Sequence, residues 1–169
     1  ALGFAIELPF QAMMSALQNF SGLSHRCLGL GRINNVDWYN DSKGTNVDAT
    51  KSAIEGLGLG FSGEIVLIAG GVGKGADFSL LRDVVEKYVS AVVLIGEDAD
   101  LIEKELLGAS RISKCSSICD AVETSFKESL PVDAVLFSPA CASFDMFDDF
   151  EHRGEVFILE VNKLQMRIE

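Results

Sequence analysis

The apolar positions of the chain follow two periods in alternation. From 9 to 19, "PFQAMMSALQN" repeats at helical spacing behind a proline, which predicts an amphipathic helix. "RCLGLGRI" and "VDWY" then read as two strands about an Asn34–Asn35 turn, a residue pair that tight hairpins favour. Beyond the hairpin, wholly apolar runs alternate with helix-period segments. The runs are "EIVLIAG" (64–70), "AVVLIG" (91–96), a weaker "SRISKC" (110–115) and "AVLFS" (134–138). Helices are predicted over 47–57, 79–88, 99–107, 116–130 and 147–165. Apolar strands separated by helices belong to a parallel sheet covered on both faces. Right-handed crossovers then give an α/β fold: a Rossmann-like, doubly wound, mostly parallel sheet with the hairpin as its N-terminal antiparallel edge.

The segment ahead of the hairpin stands apart. "ALGFAIELPF" begins mid-pattern without an initiator methionine, and "SGLSHR" reads as a linker. Residues 1–24 are therefore expected to be the end of a preceding domain with its linker, and 25–169 one domain of a longer protein. With 169 residues, 48% of them hydrophobic, the chain can bury one core. A net charge of −11 argues against nucleic acid and anionic membrane surfaces as partners. No apolar run approaches the roughly 20 residues of a spanning helix, and no charged-then-apolar signal opens the sequence. Cys27, Cys115, Cys119, Cys141, His25 and His152 show no zinc-like spacing, so no metal site is expected. The four cysteines are expected to be buried free thiols, which point to a reducing cytoplasm.

Ligands of open α/β sheets bind outside the carboxyl ends of the strands. Three unusual loops follow predicted strands there: "NDSKGTN" (40–46), "GGVGKGAD" (70–77) and "SPACASFD" (138–145). In the first, Thr45 is the expected helix N-cap. Asp41 can accept from ribose hydroxyls and Lys43 can meet a phosphate, so this corner is expected to hold a nucleotide on one side and a second ligand on the other. Trp38 would lie beside it. The second loop fails the Walker A pattern at both ends. Gly71, Gly73 and Ala76 do fit a dinucleotide fingerprint, with Glu97 as the ribose acid, which leaves an independent NAD(P)-binding oxidoreductase open. A purely structural glycine turn is a further reading, and Lys74 is what sets the loop apart, a cation suited to an anionic group. In the third loop, small residues let backbone approach a ligand, and Ser143 offers a hydroxyl and an amide. Cys141 lacks a base in sequence and is not expected to act as a nucleophile. Asp148, Asp149 and Glu151 fall near a helix start, where the dipole favours acids.

"GLSHR", "WYNDSKGTNVDAT", "AGGVGKGADFS" and "SPACASFDMFDDFEHRG", in this order and spacing, closely resemble the C-terminal domain of the peptidoglycan Mur ligases, in the branch that adds D-glutamate. The resemblance spans nearly the whole chain. Departures are Ser24 where Pro is common, Gly44 where Ala is common, and Val72 where Asp is common. The Asp-Asn-Pro-Arg motif of the sister ligase that adds a diamino acid does not occur. The resemblance implies ATP-dependent amide formation, in which a muramoyl-alanine acyl phosphate is attacked by the amine of D-glutamate. It also implies that Thr45, Lys74, Ser143, Phe144 and Phe150 hold D-glutamate, while His25, Arg26, Asp41 and Lys43 face the ribose and phosphates of ADP. A dicarboxylate calls for a cation, hydroxyls and amides, which these loops supply. ATP and Mg²⁺ would be bound mainly by the family's central domain, whose Walker A loop and metal ligands have no counterpart in this sequence. The chain alone should then not turn over. A non-catalytic interaction domain would follow only if no small anion binds.

Overall fold

The computed structural model describes residues 2–20, 22–131 and 133–168. Two helices, α1 (Leu2–Ala5) and α2 (Phe10–Asn19), precede the sheet, and neither has a buried residue. Ser21, within the expected linker, lies outside the described residues. The hairpin follows: β1 (Leu28–Ile33) pairs antiparallel with β2 (Val36–Asn40), Ile33 opposite Val36. Asn34 and Asn35 take φ values of 49° and 65°, the left-handed pair that a type I′ turn requires.

The remaining elements alternate. They are α3 (Val47–Gly60), β3 (Ile65–Gly70), a 3-10 turn (Phe78–Leu81) leading into α4 (Arg82–Tyr88), β4 (Val89–Ile95), α5 (Ala99–Leu106), β5 (Arg111–Lys114), α6 (Ile118–Glu128), β6 (Ala134–Phe137) and α7 (Phe150–Ile168). The sheet order is β1-β2-β6-β3-β4-β5, and every pairing after the first is parallel. All six residues of β3 and all four of β6 are buried, which is why both read as unbroken apolar runs.

Two cores result. Side chains of α3, α4 and α5, such as Ile54, Val85 and Ile102, cover one face with Leu67 and Leu94. Those of α6 and α7, such as Val122, Phe157 and Val161, cover the other with Ile68 and Phe137. Trp38 belongs to this second core. It is fully buried with its ring 6.2 Å from that of Phe157, so it does not sit beside the nucleotide corner as expected.

α7 starts at Phe150, three residues later than its apolar pattern suggests. The Ser143 carbonyl accepts from the amides of Met146 and Phe147, holding a turn ahead of the helix. Asp149 then accepts from the His152 amide at 2.7 Å, the bond of an N-cap carboxylate. No helix among the described residues is long and apolar enough to cross a membrane.

Candidate functional site

β6 comes last among the strands in sequence but is inserted between β2 and β3. The loops that follow these three strands are thereby brought side by side at the carboxyl edge, where the strand order switches. Backbone bonds join them. The Ala140 amide donates to Gly44 O at 2.9 Å, and Val72 and Ala142 exchange a pair of bonds at 3.0 and 2.9 Å. Gly71, with φ at 125°, makes the second junction possible, because a Cβ there would collide with the Ala142 carbonyl.

Two pockets open over this edge. The smaller, about 180 Å³, is lined by Lys43, Thr45, Lys74, Ser143, Phe144 and Phe150, with Ala142 and Asp149 completing it. All five residues expected to hold an amino-acid substrate are therefore brought together. The Lys74 ammonium lies 5.6 Å from the centre of the Phe144 ring. Lys43 Nζ sits 3.6 Å over the Phe150 ring, a cation–π contact that keeps its charge at the pocket wall. Thr45 is not the helix cap. Asn46 takes that role, accepting from the Ala49 amide at 2.9 Å, which leaves Thr45 to the pocket.

The second pocket, about 320 Å³, is lined by Arg26, Asp41, Lys43 and Gly44 together with Cys27 and the first turns of α3. Lys43 is thus common to both. Asp41 is largely committed to the protein: Oδ1 accepts from the Cys27 amide at 3.1 Å and Oδ2 from Ser138 Oγ at 2.7 Å. Burial pushes its carboxyl pKa up, while the bonds from Ser138 and Cys27 and the charge of Arg26 pull it back. His25, expected against the nucleotide, lines neither pocket. Its side chain is buried against Gly154, 3.1 Å from Asn40 Nδ2 and edge-on to Phe150. Its carbonyl accepts from the Lys43 amide, so it supports that loop from behind.

The structure adds Arg153, 1% exposed, which the loop motifs did not single out. Its guanidinium donates to Ser42 Oγ at 3.1 Å, Ser42 O at 2.9 Å and Cys141 O at 3.1 Å, tying the first loop to the third. All three acceptors are uncharged, and burial brings its pKa down to about 10. One signal was available in the sequence: a cation in the first turn of a helix runs against the helix dipole. Cys141 is fully buried and its thiol pushed up by burial to about 12, which excludes a ready nucleophile.

The dinucleotide reading of the glycine loop does not survive the geometry. That fingerprint needs free amides at a helix N-terminus directly after the glycines. Here the 3-10 turn starts only at Phe78, the Gly73 amide is taken by Asp98 Oδ2, and the Val72 amide by Ala142 O. The exposed Glu97 has its amide bonded to Asp145.

A doubly wound sheet with its pockets at the switch point, and two lysines converging on the smaller one, is the arrangement in which α/β domains bind ligands. The sequence matches the family described as Mur ligase, glutamate ligase domain, over residues 25–141, and the chain belongs to that family. It is 52% identical over 164 residues to the UDP-N-acetylmuramoylalanine–D-glutamate ligase of Coxiella burnetii (strain Dugway 5J108-111), covering 97% of this chain. It is 54% identical to the ligase of that name from Pseudomonas syringae pv. tomato, again over 97% of this chain. The chain spans 37% of the length of either relative. Among solved structures, it superposes on the bifunctional folylpolyglutamate synthase/dihydrofolate synthase of Yersinia pestis, complexed with AMPPNP and Mn ion, with a TM-score of 0.65. That match has 16% identity and covers 90% of this chain and 34% of the other. A domain from a putative UDP-N-acetylmuramate:L-alanyl-gamma-D-glutamyl-medo-diaminopimelate ligase of Haemophilus ducreyi matches with a TM-score of 0.58 at 14% identity, covering 85% of this chain and 100% of that one. These structural likenesses establish the fold.

Proposed function

We propose that this domain accepts D-glutamate within an ATP-dependent ligase that joins it to UDP-N-acetylmuramoyl-L-alanine in peptidoglycan synthesis. The observation that carries this reading is the convergence of Lys43 and Lys74, from two different loops, on one small pocket with two hydroxyl residues. A dicarboxylate has two charges for two ammonium groups, and Thr45 and Ser143 supply further hydrogen bonds. The volume of about 180 Å³ is below the range of about 300–1,000 Å³ usual for drug-sized ligands, as befits a single amino acid.

In the reaction, the muramoyl-alanine carboxylate takes the terminal phosphoryl group of ATP. The D-glutamate amine then attacks the acyl carbon, phosphate leaves, and the nitrogen loses a proton. The part of this chain is to hold the two carboxylates so that the amine is free to attack, a positioning role. The larger pocket, with Arg26 and Lys43 as cations, receives part of ADP, and Lys43 joins the two ligands. Among the described residues, no group of three or more His, Cys, Asp or Glu is placed to hold a metal. Mg²⁺ and the main ATP contacts would come from the rest of the ligase, as the family resemblance implies. Residues 1–24 belong to the preceding domain in this reading, supported by α1 and α2 burying nothing here. Four free cysteines fit a cytoplasmic enzyme, although only Cys141 is buried as expected, Cys27 and Cys119 being exposed.

The test is phosphate release by the full-length ligase with UDP-N-acetylmuramoyl-L-alanine and ATP, varying the amino acid. Turnover with D-glutamate, and far less with L-glutamate or diaminopimelate, is expected. Preference for a diamino acid would overturn the assignment. The 169-residue chain by itself should hydrolyse no ATP above a mock-purified control.

A further inference from the structure

The corner between β4 and α5 lines neither pocket, yet it is bonded to two of the loops that do. Asp98 occupies the N-cap position of α5, where a carboxylate ordinarily accepts from its own helix. It makes no such bond. Its Oδ2 instead accepts from the Gly73 amide at 2.6 Å, and its own amide donates to Gly71 O at 3.0 Å. On the other side, Asp145 Oδ2 accepts from the Glu97 amide at 2.9 Å. Gly96 closes the junction. A Cβ there would stand 2.7 Å from Gly71 Cα and collide with the Asp145 carboxylate. Residues 96–98 are thus fastened to the loop of Lys74 and to the loop of Ser143 and Phe144.

Lys74 shows what needs fastening. Its φ of 54° is left-handed, a conformation that residues with side chains hold only where the surroundings enforce it. The residue before it is the one Asp98 fixes. We infer that Asp98 is a positioning residue for Lys74. It leaves its own helix uncapped to hold the Gly73 amide, and so keeps the left-handed turn that aims the Lys74 ammonium into the pocket. Asp145 sets the third loop against the same corner. This inference rests on the reading of that pocket as the D-glutamate site.

The experiment is steady-state kinetics on the full-length ligase carrying Asp98→Ala, Asp98→Ser or Asp98→Asn, with Lys74→Ala beside them. Serine can cap α5 but is one bond too short to reach Gly73, so it keeps the test alive if the alanine variant folds poorly. Asparagine keeps an acceptor at the right length. Loss of one hydrogen bond to a charged group predicts that Asp98→Ala and Asp98→Ser raise the D-glutamate Michaelis constant by about tenfold. The constants for ATP and the muramoyl substrate should stay near wild type, and Asp98→Asn should recover most of the loss. A purely structural role would not single out one of three substrates. If Lys74→Ala raises the D-glutamate constant while Asp98→Ala and Asp98→Ser leave it alone, the positioning role is wrong and the pocket assignment stands. If Lys74→Ala itself leaves it unchanged, the pocket assignment falls and takes the inference with it.

Discussion

Replacing Arg153 by lysine isolates the geometry of the guanidinium from its charge. Both side chains carry a single positive charge into the same buried position, so the formal charge of the site is unchanged. What differs is the fork. Arginine spans Ser42 Oγ, Ser42 O and Cys141 O with three separate N–H groups at 2.9–3.1 Å. A single ammonium on a flexible stem cannot reproduce that spread, and it is more strongly hydrated than guanidinium. Losing one or two hydrogen bonds to a charged donor, at about 1.5–3 kcal/mol each, predicts destabilisation of about 1.5–6 kcal/mol. Urea unfolding of the 169-residue chain reads this directly, because Trp38 is fully buried and its emission changes on exposure. A change below about 1 kcal/mol, within the range of ordinary surface substitutions and measurement error, would refute the claim that this fork holds the two loops together.

Lys43→Ala removes the one cation shared by both pockets and should weaken both nucleotide and D-glutamate in full-length kinetics; an effect confined to either ligand would contradict the shared wall. Asp41 supplies a pH test. Its folded-state pKa is raised by burial, so the folded protein holds this proton more tightly than the unfolded chain. Its contribution to stability is therefore greatest at low pH and lost as pH rises above the ordinary carboxyl value of about 3.9 through the folded-state value. The stability of Asp41→Asn relative to wild type should accordingly improve from about pH 4 to pH 7, measured by the same unfolding assay. A variant that instead loses ground toward neutral pH would show that the hydrogen bonds from Ser138 and Cys27 outweigh burial.

Local chemistry makes much of this fold legible in the sequence. "EIVLIAG" had to be a doubly covered strand because every residue of β3 is buried, and Asn34–Asn35 had to turn because both residues accept left-handed backbone. The order of the strands was not legible. Nothing within "AVLFS" states that β6 returns to lie between β2 and β3, yet that insertion is what makes three separate loops into one site. The lysines and hydroxyls of the loops could be proposed one by one, since each is unusual for a turn. Their supports could not. Asp98 meets Gly73 across 25 residues and Arg153 meets Ser42 across 111, and no local pattern records such partners. The helix cap is ambiguous in sequence for a similar reason: Thr45 and Asn46 both satisfy the capping preference, and the extended backbone of Asn46, φ −150°, decides between them.

The central claim is that Lys74 holds a carboxylate of D-glutamate, and Lys74→Ala in the full-length ligase tests it most directly. Removing one charge-assisted bond of about 1.5–3 kcal/mol predicts that the Michaelis constant for D-glutamate rises roughly 10- to 150-fold, at about 1.4 kcal/mol per decade. The constants for ATP and UDP-N-acetylmuramoyl-L-alanine should change far less when each substrate is varied in turn. A D-glutamate dependence that is unchanged, or a loss that falls first on ATP, would contradict the account.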